Sequence, residues 1–247
     1  MSTIYQSNFS ELYHVTESSR KIKAQKTLAV IKDAYAQKLL DCLVLEIGCQ
    51  SGRISIPLAI SGLDLVAIDI DISAIQKGNQ QEKPNNLKFM VTNAERMTFQ
   101  DETFDIVICS HIYEHVPYPK IMMKEIYRVL KPNGLCYFAG GNRTKIIEPH
   151  HKLPFLSWLP KPFAHYYLRV SGKGNYYYEN LLFHHQLKDL VKDFVIVDYT
   201  EKILDDPSRF YANDMLTENS PKHKISKLFY SYFKPLFPTF IWIIMKK

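Results

Sequence analysis

From residue 43 onward the chain alternates short, almost wholly apolar runs with stretches of helical periodicity. The runs are Leu43 to Ile47, Leu63 to Ile68, Leu87 to Val91, Phe104 to Cys109 and Leu135 to Ala139. Continuous apolar character over so few residues predicts parallel strands covered on both faces; a half-exposed strand would alternate. The clearest helix between them covers 118 to 130, where Met122, Ile126, Val129 and Leu130 recur on one face. It stops at Lys131-Pro132-Asn133-Gly134, whose Asn and Gly tolerate positive φ. Such alternation predicts a parallel α/β sheet with right-handed crossovers. Upstream, residues 17 to 40 read as a helix packed on the body, with Ile22, Leu28, Val30 and Ile31 among its apolar positions. Downstream, Phe194 to Tyr199 and Thr239 to Met245 read as two more strands. Lys234, Pro235 and Pro238 interrupt the final apolar run, which falls far short of the ~20 residues a membrane span needs.

Composition narrows the class without deciding it. The hydrophobic fraction of 46% and charged fraction of 23% are those of a globular protein. The opening MSTIYQSNFSELYH has no basic stretch followed by an apolar run, so no secretory leader is expected. Cys42, Cys49, Cys109 and Cys136 show no paired or metal-type spacing. A cytoplasmic, reducing setting with no disulfide framework and no metal site is therefore expected. The net charge of +6 is uneven: residues 1 to 140 are neutral and residues 141 to 247 hold 16 Lys/Arg against 10 Asp/Glu. A basic half suits an anionic partner, or simply a solvated surface.

Three features carry chemistry. In Leu43-Val44-Leu45-Glu46-Ile47-Gly48-Cys49-Gln50-Ser51-Gly52 a strand runs into a glycine loop that opens a helix. Gly48 and Gly52 let the backbone turn sharply and approach a ligand, and helix N–H groups suit a carboxylate. Asp69 closes the next run, about 20 residues on, where an acidic side chain can accept from both hydroxyls of a ribose. Asp69 also suits a helix N-cap, a role for which Asp71 and Ser73 compete. Thr92-Asn93-Ala94-Glu95 follows the third run, on the same rim of the sheet, where ligands of these folds bind. A nicotinamide site would need G-x-G-x-x-G, and this loop lacks the middle glycine.

The segments LEIGCQSGR, VAIDID, NAERMTF, DETFDIVICSHIYEHV and EIYRVLKPNG resemble, in order and spacing, the motifs of class I S-adenosylmethionine-dependent methyltransferases. The likeness is to the methyltransferase type 11 group, related to quinone-biosynthesis methyltransferases. It implies a doubly wound, seven-stranded, mostly parallel sheet of order 3-2-1-4-5-7-6, the last strand antiparallel, with helical cap insertions. The expected division is an N-terminal helical cap segment (1–40), a Rossmann-like cofactor core (41–142), a substrate-cap insertion (143–190) and C-terminal strands with a helical insertion (191–247). The implied cofactor is S-adenosylmethionine. Glu46, Gly48, Cys49, Gln50 and Gly52 would border its methionine end, Asp69 and Ile70 its ribose, Asn93, Ala94 and Glu95 its adenine, and Ser110 and His111 its sulfonium. The sequence departs from the family at Gln50, usually glycine, and at Asn93, often aspartate.

Methyl transfer from a sulfonium needs chiefly an acceptor atom held in line, and a base only when the acceptor carries a proton to lose. His150 is the first candidate base, with His111 and His115 the others; a loop-fixing role suits His115 better than proton transfer does. Residues 151 to 184 are rich in aromatics, among them Phe155, Trp158, Phe163, Tyr166 and Tyr176 to Tyr178, which fits a small-molecule, lipid or glycan acceptor or a small core of the cap itself. Lys222 to Phe233 has the pattern of an amphipathic helix, consistent with a lid or with peripheral membrane contact. The neutral first half and the segment Cys109-Ser110-His111-Ile112, in place of an Asn/Asp-Pro-Pro-aromatic motif, argue against a nucleic-acid substrate. An RNA methyltransferase and a catalytically silent cofactor-binding protein are the alternatives.

Overall fold

The computed structural model describes residues 17–35 and 39–247. The helix expected over 17–40 is α1, Glu17–Ala34. It ends earlier because Tyr35 turns into the core, and a separate turn, Leu39–Asp41, leads to the first strand. Positions 36 to 38 of the expected helix lie outside the described residues.

Seven strands form one sheet. They are β1 (Leu43–Ile47), β2 (Asp64–Asp69), β3 (Leu87–Val91), β4 (Phe104–Ser110), β5 (Leu130–Gly141), and, beyond a two-residue pair β6 (Ile147–Glu148) and β7 (Leu153–Pro154), β8 (Phe194–Asp198) and β9 (Thr239–Lys246). The order is β3-β2-β1-β4-β5-β9-β8. Only β9 runs antiparallel to its neighbours, β5 and β8. Leaving out the small β6–β7 pair, this is the topology the resemblance implied. Strand β5 is longer than its apolar run: Leu130 pairs with Phe104, and the register shifts before Leu135 pairs with Ile106. The expected turn at Lys131–Gly134 is thus a bulge inside the strand. Asn133 takes φ +64° there, and a Cβ on Gly134 would lie 2.9 Å from the Asp105 carbonyl oxygen.

Alternate residues of the central strands enter opposite layers, which is why their runs are continuously apolar. Val44, Leu65, Ala67, Ile106, Ile108 and Tyr137 pack with Val30 and Ile31 of α1. Leu45, Ile47, Val107, Cys109 and Phe138 pack with Met122, Met123, Ile126 and Val129 of α4 (Pro119–Val129). Cys42, Cys49, Cys109 and Cys136 are all buried.

Segment 143–183 lies over the carboxyl rim of β4 and β5. Its helix α5 (Lys161–Val170) forms a small core with Leu153, Leu156 and Tyr177, but Phe155, Trp158, Phe163, Tyr166, Tyr176 and Tyr178 are exposed. The segment is latched to the sheet: the Asn180 N–H donates to the Glu114 carbonyl, and the Leu182 N–H to the Tyr113 hydroxyl, which itself donates to the Gly141 carbonyl at the end of β5. Helix α6 (His184–Leu190) buries His184 against Phe240 and leaves His185 outside. Then α7 (Tyr199–Asp205) and α8 (Pro221–Phe233) precede β9. No helix among the described residues is long and apolar enough to cross a membrane.

Candidate active site

The loop after β1 is held by its neighbour β2. The N–H groups of Gly48 and Cys49 both donate to the Ile68 carbonyl, at 2.8 and 3.1 Å. Gly48, Gln50 and Gly52 take φ of +73°, +51° and +82°. Two of these are glycines, for which the region is free; Gln50 is held there at a cost of roughly 1–2 kcal/mol. The side chain of Ile112 covers Gly48 so closely that a Cβ there would lie 2.1 Å from Ile112 Cδ1. Helix α2 (Ser55–Ile60) starts only at Ser55, so its N-terminus stands beyond Gly52 rather than opening at it.

Asp69 faces this loop. Its Oδ2 accepts the Gln50 N–H at 2.7 Å and its Oδ1 the Asp71 N–H at 2.9 Å. The competition for the N-cap resolves in favour of Asp71, whose Oδ1 accepts from Ser73 and Ala74 at the start of α3 (Ile72–Gln80). Burial raises the Asp69 pKa, with Asp71 adding its charge and the backbone donors opposing. A carboxylate has about four lone-pair sites, so Asp69 keeps acceptor capacity toward the rim.

Glu46 is buried in β1 between Ala67 and Ile108. Burial pushes its pKa up to about 7, Ser55 opposing and Asp69 adding to the rise. Although Ser55 lies near enough to oppose, neither Glu46 Oε2 nor Ser55 Oγ has a partner in hydrogen-bonding geometry. A buried carboxylate oxygen left without a donor suits a cationic group of a ligand.

The other predicted cofactor residues line the same rim. Ile70 is exposed after Asp69, and Cys49 is buried under the loop. Asn93 makes a turn in which its Oδ1 accepts the Glu95 N–H at 2.8 Å; Ala94 is buried, and Glu95 accepts the Tyr118 N–H. Ser110 ends β4, and His111 follows at φ +57° with its N–H on the Ala139 carbonyl at 2.8 Å.

The three candidate base histidines gather above β4 and β5. His111 Nδ1 is 3.1 Å from Glu114 Oε1, and His150 Nδ1 is 2.6 Å from Glu148 Oε1. The rings of His115 and His150 meet edge to face, centroids 5.1 Å apart. Burial works to raise the Glu114 pKa, but the bond and charge of His111 and the charge of His115 hold it below the usual carboxylate range. Burial likewise works against ionising Glu148, and its bonds from His150 and the His151 N–H outweigh that. His150 is pulled down by burial and up, by more, through Glu148, Glu179 and Glu114. His115 is lowered by burial, with His150 and His111 adding to it. The sequence reading missed Glu114, Glu148 and Glu179. The first two sit beside chosen histidines, in Glu114-His115 and Glu148-Pro149-His150; nothing local marks Glu179.

Two surface hollows lie away from this loop. One of about 200 Å³ sits at the β9–β8 edge beside His184, Asp198 and Trp242, and one of about 610 Å³ between α4 and the turn after α6.

Known proteins resemble the chain over the cofactor-loop region and in fold. The family described as methyltransferase domain matches residues 45–138. The ubiquinone biosynthesis O-methyltransferase of Rickettsia akari (strain Hartford) is 30% identical over 148 residues, 57% of this chain and 57% of that protein. The chain thus spans little more than half the length of this curated relative. The crystal structure of PH0226 protein from Pyrococcus horikoshii OT3 superposes with a TM-score of 0.60 at 18% identity, covering 95% of this chain and 93% of that one. The plantazolicin methyltransferase BpumL, solved with a monoazolic desmethylPZN analog and SAH, gives a TM-score of 0.60 at 15% identity over 94% and 86%. Residues 45–138 thus match the methyltransferase-domain family, and they stand in the sheet order that the sequence resemblance implied.

Proposed function

We propose that the chain transfers a methyl group from S-adenosylmethionine to a small-molecule acceptor. The observation that carries the reading is the Asp69 carboxylate, fixed across the Gly48–Gly52 loop by the Gln50 and Asp71 N–H groups. A carboxylate so fixed on this rim suits the two hydroxyls of a ribose. The chain's residues fit the cofactor: Glu46 offers a buried, unpartnered carboxylate oxygen to its ammonium, and the glycine loop offers close backbone approach. Ile70 borders the ribose, Asn93, Ala94 and Glu95 the adenine, and Cys49, Gln50, Ser110 and His111 the methionine end. When bound, the cofactor supplies an electrophilic methyl already activated by the sulfonium charge.

The protein's part is to bind, orient and remove a proton where the acceptor has one. His111 is the proposed base. It directly follows β4, its side chain is 42% exposed, and Nδ1 is oriented by buried Glu114. His150, at 16% exposure, is enclosed and committed to Glu148. The aromatic residues of segment 143–183 would shape the acceptor site. The chemistry of relatives named ubiquinone biosynthesis O-methyltransferase favours a hydroxyl acceptor. A finer reading is an acceptor carried on a lipid, met at a membrane surface by α8. That helix buries only His223 and Tyr230, and exposes Ile225, Leu228 and Tyr232 beside Lys222 and Lys224. Incubation with methyl-labelled cofactor and extracts of hydroxylated small molecules, read by mass spectrometry, tests the reaction. A labelled methyl ether is expected; no labelled product from the wild type, or the same yield from Asp69→Ala, contradicts it.

A further inference from the structure

The loops over β4 and β5 bring together three side chains that are far apart in sequence. One ligand-type atom each from His115, His150 and Glu179 lies within 4.8 Å of the others. Three further observations point to a cation among them. Glu179 is 3% exposed; its Oε1 lies 3.8 Å from His150 Nδ1, and its Oε2, 3.9 Å from His151 Nε2, has no hydrogen-bond partner. An ionised oxygen so placed is costly unless a cation meets it. Behind His150, the fully buried Glu148 binds Nδ1 at 2.6 Å and is itself fixed by the His151 N–H at 2.7 Å. A carboxylate on one ring nitrogen orients the imidazole and fixes its tautomer, and metal-binding histidines are commonly held this way. Finally, the neighbouring Lys161 ammonium is committed to the carbonyls of Tyr177 and Glu179, at 3.1 and 2.6 Å.

We propose that His115, His150 and Glu179 bind one divalent transition-metal ion of the zinc class, with Glu148 as the positioning residue behind His150. Two imidazoles and one carboxylate suit zinc, cobalt or iron, whereas magnesium and calcium prefer oxygen alone. Three protein ligands leave an open position for water or an acceptor oxygen. The site stands on these side chains; its use rests on the proposed methyl transfer. There the metal would lower the pKa of a bound acceptor hydroxyl. The proton would pass to His111, the oxygen lone pair would form the new C–O bond, and the methyl–sulfur bond would break to leave a neutral thioether. Spacing along the sequence gave no hint of this set, because the cap contributes Glu179.

Calorimetric titration of chelator-treated protein with Zn²⁺, and of a second sample with Co²⁺ followed by visible absorption, tests the site without cofactor or acceptor. Its failure therefore leaves the methyltransferase reading standing. One equivalent of Zn²⁺ is expected to bind. His150→Gln and Glu179→Gln should weaken it by at least about tenfold and Glu148→Gln by about 10–100-fold, with folding checked by circular dichroism. His185→Ala, on the outer face of α6, should bind as the wild type does. No stoichiometric binding by the wild type, unchanged affinity in both His150→Gln and Glu179→Gln, or a thiolate-to-cobalt absorption band would each overturn the assignment.

Discussion

The Asp69 carboxylate accepts the backbone N–H of Gln50 at 2.7 Å, across 19 positions of sequence. This bond ties the end of β2 to the middle of the loop after β1. It also holds a non-glycine residue at φ +51°, where the family usually has glycine. The loop is thus closed by a tertiary hydrogen bond rather than by glycine freedom alone.

Removing the strained side chain while keeping the N–H should relieve the loop. Gln50→Gly is expected to raise the stability by about 0.5–1 kcal/mol, the relief of a left-handed non-glycine residue less the added entropy of the unfolded chain. Urea denaturation measures it. A loss of similar size would mean that the Gln50 side chain itself supports the fold.

Glu46 makes stability depend on pH in an unusual direction for a carboxylate. Its folded pKa of about 7 lies above the ordinary 4.5, so between these values the folded chain holds a proton that the unfolded chain has lost. Stability therefore falls as pH rises through this window, by up to about 3 kcal/mol. Denaturation at pH 5 and pH 8 should show the wild type losing more than Glu46→Gln by that amount. Parallel profiles for the two proteins would exclude the buried neutral carboxyl.

Tyr113 fastens the cap to the sheet. It is fully buried, its hydroxyl donates to the Gly141 carbonyl, and it accepts the Leu182 N–H at 3.2 Å. Tyr113→Phe strands both backbone groups and is expected to cost about 1–3 kcal/mol. The check is the denaturation midpoint together with faster proteolysis of segment 143–183. An unchanged midpoint would place the latch elsewhere.

Flotation with vesicles rich in anionic lipid tests the surface reading of α8. The wild type is expected to float, and the pair Ile225→Glu and Leu228→Glu to remain in solution, because both side chains are more than 60% exposed and their loss leaves the core intact. A wild type that stays in solution would contradict membrane contact.

The sheet was legible because strands such as Leu43–Ile47 and Leu87–Val91 are short, apolar and bounded by turns; their limits match the expected ones. Edges set by tertiary contacts were not. Strand β5 begins at Leu130, five residues before its apolar run, because Leu130 pairs with Phe104 across a bulge. The glycine loop and Asp69 could be placed together because their spacing follows from one βαβ unit. Glu114 could not be assigned as the partner of His111 without knowing that the backbone turns at His111. Glu179 could not be found at all, since only the folding of the cap over β4 brings it to His115 and His150. The exposed cap aromatics also escaped, because composition alone does not separate a small core from an open surface.

Binding of S-adenosylhomocysteine, measured by isothermal calorimetry on the wild type and on Asp69→Ala, tests the central claim most directly. The wild type should bind one equivalent with a micromolar dissociation constant. Asp69→Ala, folded by circular dichroism, should bind at least about 100-fold more weakly, since two hydrogen bonds to a charged acceptor are lost at about 1.5–3 kcal/mol each. Equal affinity in the two proteins, or no binding by the wild type, would contradict the account.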